Sequence, residues 1–122
     1  MKLIFRKCWT FNKCWAEITG ADLLDQVNSD SPPLILDIRS SKEFNGAGGH
    51  IPNSKSIPIN KLKSNLEELQ SFKEKEIITI CPGGGISLIA VDILNKCGFT
   101  NAKGLHLGLE SWKENGYPIT TS

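Results

Sequence analysis

Cys81 closes an apolar, β-branched run, Ile77-Ile78-Thr79-Ile80, and is followed by Pro82-Gly83-Gly84-Gly85-Ile86 and then Ser87. A cysteine thiolate is a nucleophile, and its surroundings decide whether it acts as one. Three consecutive glycines let the backbone curl without Cβ obstruction, so that successive N–H groups point inward. A helix opening at Ser87 would add its unpaired N–H groups and the positive end of its dipole. Such a loop favours the thiolate and binds an anion beside the sulfur, of sulfonyl, phosphate or arsenate shape. The terminal sulfur of a persulfide would be held by the same N–H groups. A cysteine before a glycine turn, standing alone, reads first as a small buried hydrophobe. Strand, triple glycine and helix together make Cys81 the candidate nucleophile, with Pro82, Gly83, Gly84, Gly85, Ile86 and Ser87 as the candidate substrate-binding loop.

The elements that must position this loop are strands alternating with helices, the pattern of an α/β domain with a largely parallel sheet. In open sheets of this kind the sites lie at the carboxyl ends of the strands, where Cys81 stands. Leu34-Ile35-Leu36-Asp37-Ile38 follows Pro32-Pro33 and reads as a buried strand, as does Ile77 to Ile80. Ser56-Ile57-Pro58-Ile59 reads as a short strand that Pro58 confines to an edge or a strand end, and residues 102–106 as a weaker one. Thr19 can cap a helix over residues 21–28. Leu62, Leu66 and Leu69 predict a second helix over residues 59–72. Leu88, Val91, Ile93, Leu94 and Cys97 predict a third over residues 87–97, stopped by Gly98. A short helix over residues 109–115 ends at Gly116. Residues 1–15 fit no period, although Trp9, Phe11 and Trp15 suggest that the segment packs against something. The division expected is therefore an atypical segment, residues 1–15, and a single domain, residues 16–122.

Bulk properties set limits. A chain of 122 residues with 39% hydrophobic and 22% charged residues suits one globular domain with a core. A net charge of +1 gives no reason to expect nucleic acid or a membrane as partner. The cluster Lys73, Glu74, Lys75, Glu76 alternates in sign and reads as a solvated face. No apolar run approaches the ~18 residues of a membrane span, and charge interrupts the first residues too early for a signal peptide. The cytoplasm is the expected compartment, where Cys8, Cys14, Cys81 and Cys97 need not pair. His50 and His106 are far apart and no Cys-x-x-Cys is present, so no metal site is expected.

Several stretches, in order, resemble the rhodanese-like domain family. Leu36-Asp37-Ile38-Arg39 with Glu43-Phe44 is similar to its N-terminal signature. Gly49-His50-Ile51-Pro52, then Ser56-Ile57-Pro58, resembles its Gly-His-Ile-Pro segment. Residues 81–87 are similar to its active-site loop. Gly98-Phe99, Leu107-Gly108-Leu109-Glu110-Ser111-Trp112 and Gly116-Tyr117-Pro118 resemble the end of the domain. The likeness spans about residues 17–120. It implies a five-stranded, mainly parallel sheet flanked by helices on both faces. It also implies a sulfurtransferase in which Cys81 takes a sulfane sulfur as a persulfide and hands it to a thiol or other nucleophile, with no cofactor or metal. The partners implied are a small sulfur donor (polysulfide, persulfide or thiosulfate) and a thiol or protein acceptor. The spacing to Ser87 matches the six-residue loop of sulfurtransferases. The related phosphatases that activate cyclin-dependent kinases have one residue more and a phosphate-gripping arginine. Many active members carry Arg where this chain has Ile86, so turnover of thiosulfate is expected to be weak. The alternative is a non-catalytic binding or regulatory module on the same fold.

Other residues have plainer roles. Asp37 and Arg39 end a strand on the site's edge and are supporting residues, either of the site itself or as an anchor of the turn at residues 40–44, with Arg39–Glu43 the expected pair. The resemblance makes His50 a turn-stabilising residue, and His106 is expected at the surface. Cys97, Trp15 and Trp112 are read as packing residues. Cys8 and Cys14 are either incidental thiols or a secondary sulfur acceptor.

Overall fold

The computed structural model describes the backbone of residues 3–8 and 13–121 and the side chains of residues 16–121. The side chains of Cys8, Trp9, Phe11, Cys14 and Trp15, and with them the readings made of those residues, lie outside the described residues. In chain order the elements are β1 (Leu3–Cys8), β2 (Lys13–Ile18), α1 (Gly20–Val27), β3 (Leu34–Asp37), α2 (Ser41–Phe44), β4 (Lys55–Ser56), α3 (Ile59–Leu62), a 3-10 stretch (Lys63–Phe72), β5 (Ile77–Ile80), α4 (Gly85–Lys96), β6 (Ala102–Leu105) and α5 (Gly108–Glu114). The sheet runs β1-β2-β6-β5-β3-β4. Its five strands from β2 to β4 are parallel, as expected, and β1 adds a sixth, antiparallel to β2. The two strands in the first 18 residues have no counterpart in the sequence-based expectation.

Strand alternation sorts the core into two layers. Leu36 and Ile77 face one layer, with Leu88, Val91 and Leu94 of α4, Leu62 and Phe99. Ile35, Ile78 and Ile80 face the other, with Ile18, Leu23 of α1, Leu105, Leu109 and Trp112. Trp112 is thus a core residue, and Cys97 packs at the border of the first layer. Among the described residues no helix is long and apolar enough to cross a membrane.

Helix boundaries follow local chemistry. Thr19 caps α1, its Oγ1 accepting the Asp22 N–H at 3.2 Å. Ser40 and Glu43 close a capping box on α2. The helix expected over residues 59–72 is not continuous. It stops at Leu62 and passes into the 3-10 stretch, where Asn65 leaves helical geometry (φ −114°, ψ 18°). Ser64 Oγ and Asn65 Nδ2 both donate to the Lys61 carbonyl, at 3.0 and 2.9 Å, and so occupy the acceptor that the next helical N–H would use. Glu76 departs from the solvated face expected of its cluster, because its carboxylate pairs with the largely buried Nζ of Lys103. β5 leads straight into the Cys81 loop, and α4 begins at Gly85, two residues before the start expected from periodicity.

Candidate functional site

Cys81 stands just beyond β5, 2% exposed, between the carboxyl end of the sheet and the first turn of α4. Its Sγ receives the backbone N–H of Gly84 at 3.0 Å and that of Ser87 at 3.3 Å. Both lie within the distances expected for hydrogen bonds to sulfur, and an ionised or persulfide sulfur is the better acceptor. The loop achieves this with Gly84 in the left-handed region, φ 97°. A Cβ there would come within 3.0 Å of the Leu107 amide nitrogen. Gly83 and Gly85, by contrast, have nothing within 4 Å of where a Cβ would stand, and both are exposed. Of the three glycines, one shapes the loop and two leave its mouth open.

Ser87 is wholly buried and works as a clamp. Its Oγ donates to the Gly84 carbonyl at 2.9 Å, and the Ser87 carbonyl accepts from Thr79 Oγ1 at 2.9 Å. Its side chain thus braces the loop while its N–H serves the sulfur. Gly104 on β6 makes room for it, since a Cβ there would stand 2.9 Å from Ser87 Oγ. The loop's carbonyls are held from the other side. The Leu109 N–H donates to the Cys81 carbonyl at 2.8 Å and the Glu110 N–H to the half-buried Pro82 carbonyl at 3.0 Å, so the first turn of α5 spends its unpaired donors on the loop. Ile86 points outward and is 48% exposed. The loop residues 82–87 bear no charged side chain.

Asp37 and Arg39 meet each other rather than the sulfur. Arg39 Nε and Nη2 donate to both carboxylate oxygens of the wholly buried Asp37, at 2.8–3.1 Å, and Nη2 also donates to the Gly49 carbonyl at 3.0 Å. The expected Arg39–Glu43 pair does not form, because Glu43 is engaged in the capping box with Ser40. The anchored segment is accordingly the turn before His50. His50 itself stabilises that turn, with Nδ1 2.8 Å from the Phe44 carbonyl and its ring stacked on Phe44 at 3.7 Å. Backbone bonds between His50 and Thr120 tie the end of the chain to the same place.

Two residues near the loop carry no sequence signal of the kind sought. His106, expected at the surface, is half-buried, with Nδ1 3.4 Å from Oε1 of the wholly buried Glu17. Leu107 holds a left-handed backbone, φ 62°, with its side chain 53% exposed. Neither a buried carboxylate in a short strand nor a left-handed leucine announces itself through periodicity.

The model of the rhodanese-like domain matches residues 19–115. The adenylyltransferase and sulfurtransferase uba4 of Ogataea parapolymorpha is 33% identical over 99 residues, covering 79% of the chain but only 25% of that protein. Adenylyltransferase and sulfurtransferase MOCS3-2 of Zea mays is 32% identical, and 22% of it is covered. The chain therefore spans about a quarter of the length of these relatives. Thiosulfate sulfurtransferase 16, chloroplastic, of Arabidopsis thaliana is 31% identical over 93 residues, covering 68% of the chain and 76% of that protein. Among solved structures, a rhodanese-related protein from Thermoplasma volcanium superposes with a TM-score of 0.76 at 32% identity, covering 87% of this chain and 98% of that one. The matched sequence and the superposed fold agree, and the chain belongs to the rhodanese-like domain family.

Proposed function

We propose that the chain is a sulfurtransferase that relays sulfane sulfur through a persulfide on Cys81. The observation that carries this reading is the pair of N–H groups, of Gly84 and Ser87, aimed at Cys81 Sγ. In the first step the Cys81 thiolate attacks the sulfane sulfur of a donor R–S–S⁻. A new S–S bond forms to Sγ, and the donor's bond breaks to release its former partner with the electron pair. The added sulfur projects past Gly83 and Gly85, where no side chain blocks the mouth. In the second step an acceptor sulfur attacks that outer atom and Sγ departs as the thiolate. Atoms and electrons balance without oxidant, reductant or cofactor. Ser87 and the first turn of α5 hold the loop in shape through both steps.

Donor preference follows from Ile86. An arginine there would offer thiosulfate a charge-assisted hydrogen bond worth roughly 1.5–3 kcal/mol, and the aliphatic side chain offers none. Persulfide or polysulfide is the donor we infer, with a small or protein-borne thiol as acceptor. A reducing, cytoplasmic setting, where a reactive thiol stays unpaired, is the compartment we infer.

Intact mass measured after brief exposure to polysulfide tests the reading. The parent should gain the mass of one sulfur atom, lost again on adding a thiol, and Cys81→Ser should gain none. If the thiol alkylates but neither polysulfide nor thiosulfate loads it, the chain is a binding module instead. As a second prediction, Ile86→Arg should raise thiosulfate:cyanide turnover about tenfold or more, the rate equivalent of that hydrogen bond.

A further inference from the structure

Glu17 and His106 form a carboxyl–imidazole pair across the β2–β6 ladder, 89 residues apart in sequence. Glu17 lies opposite Gly104 in the register, and opposed residues share a face. That face is the one α4 covers, since a Cβ on Gly104 would meet Ser87 and Leu88. The His106 N–H continues the ladder by donating to the Ile18 carbonyl at 2.8 Å. Two residues beyond Gly104, its side chain returns to the α4 face, displaced toward the carboxyl edge. The next residue, Leu107, presses its backbone against Gly84, whose N–H holds Cys81 Sγ. The pair therefore stands beside the rim of the sulfur loop.

A carboxyl group withdrawn from water is costly unless it is partnered. An ionised carboxyl can only accept, so a neutral imidazole bonded to it would carry its proton on Nδ1 and keep the lone pair of Nε2. The imidazole is 31% exposed and its partner fully buried, so the ring is held from inside with an edge open to solvent. This is the arrangement of a base oriented by a third group.

We propose that His106, positioned by Glu17, is the general base for the second half of the reaction, which makes an ordinary alkyl thiol the natural class of acceptor. The inference rests on the persulfide reading of Cys81. An alkyl thiol is largely protonated near neutral pH, and residues 82–87 supply no group to ionise it. Nε2 takes the thiol proton. The sulfur's electron pair then attacks the outer sulfur of the Cys81 persulfide, the bond to Sγ breaks, and its electrons return to Sγ. The proton leaves His106 to water.

The test separates the half-reactions. Cys81 is loaded with polysulfide, freed of excess, and mixed near neutral pH with either 2-mercaptoethanol or 2-nitro-5-thiobenzoate, an aryl thiol already ionised. Loss of the added sulfur is followed by rapid-quench mass measurement. His106→Gln should load as the parent does, transfer to mercaptoethanol about a hundredfold more slowly, and transfer to the aryl thiolate at the parent rate. Added imidazole should restore part of the loss. Glu17→Gln should show the same selectivity with a smaller loss. Equal slowing with both acceptors, or no slowing with either, overturns the base role and leaves the persulfide reading standing. A parent protein that never loads overturns both.

Discussion

At Gly84 the backbone is left-handed and a side chain would meet the amide of Leu107. Gly84→Ala should therefore cost about 1–2 kcal/mol, read by urea denaturation, and should slow persulfide loading because an N–H aimed at Sγ is displaced. Gly83→Ala is the contrast: open space surrounds the position, and the expected change is within about 0.5 kcal/mol. Leu107 bears a similar backbone cost with its side chain half in water. Leu107→Gly should raise stability by up to about 1 kcal/mol, the relief of the left-handed strain less the added chain entropy of glycine. Composition and spacing made the loop around Cys81 legible, since a buried strand, a cysteine and three glycines say where N–H groups will gather. They did not distinguish Gly84 from its neighbours, because which glycine must turn left is set by the approach of a strand end more than twenty residues later.

Asp37 and Arg39 couple the end of β3 to the turn at Gly49, and the carboxylate is wholly buried. Arg39→Ala leaves that charge without its guanidinium, and the expected loss is about 3–5 kcal/mol. Removing both partners should cost less than the sum of the single changes, a double-mutant cycle that denaturation curves can close. The break after α3 is testable by replacing Ser64 and Asn65 with Ala. With the Lys61 carbonyl released, far-UV circular dichroism should gain helical signal. Leucine spacing was legible here and the break was not, because periodicity records which face is buried and says nothing of a side chain competing for a carbonyl. The Glu17–His106 pair was illegible for a related reason: two strands far apart in sequence must be brought into register before it exists.

Across the whole molecule, β5 lies between β3 and β6 with every residue buried, whereas β4 is a two-residue edge strand. Amide exchange should be slowest in β5, at the rate of global unfolding, and faster in β4. The strands β3 and β5, more weakly β4 and β6, and the helices that cover them were readable because largely apolar runs and glycine-stopped helices alternate along the chain. The strands β1 and β2 were not, since residues 1–15 carry no clear alternation. Cys81 is gripped at both ends, its sulfur by amides at the start of α4 and its carbonyl by an amide at the start of α5. The dipoles that would receive an added sulfur are already aligned in the resting protein. On the persulfide reading, such a site is preorganised, and little reorganisation energy would separate its empty and charged forms. Amide nitrogen shifts recorded before and after loading should change at residues 83–87 and 107–110 and hold still elsewhere, as befits a socket built before its cargo arrives.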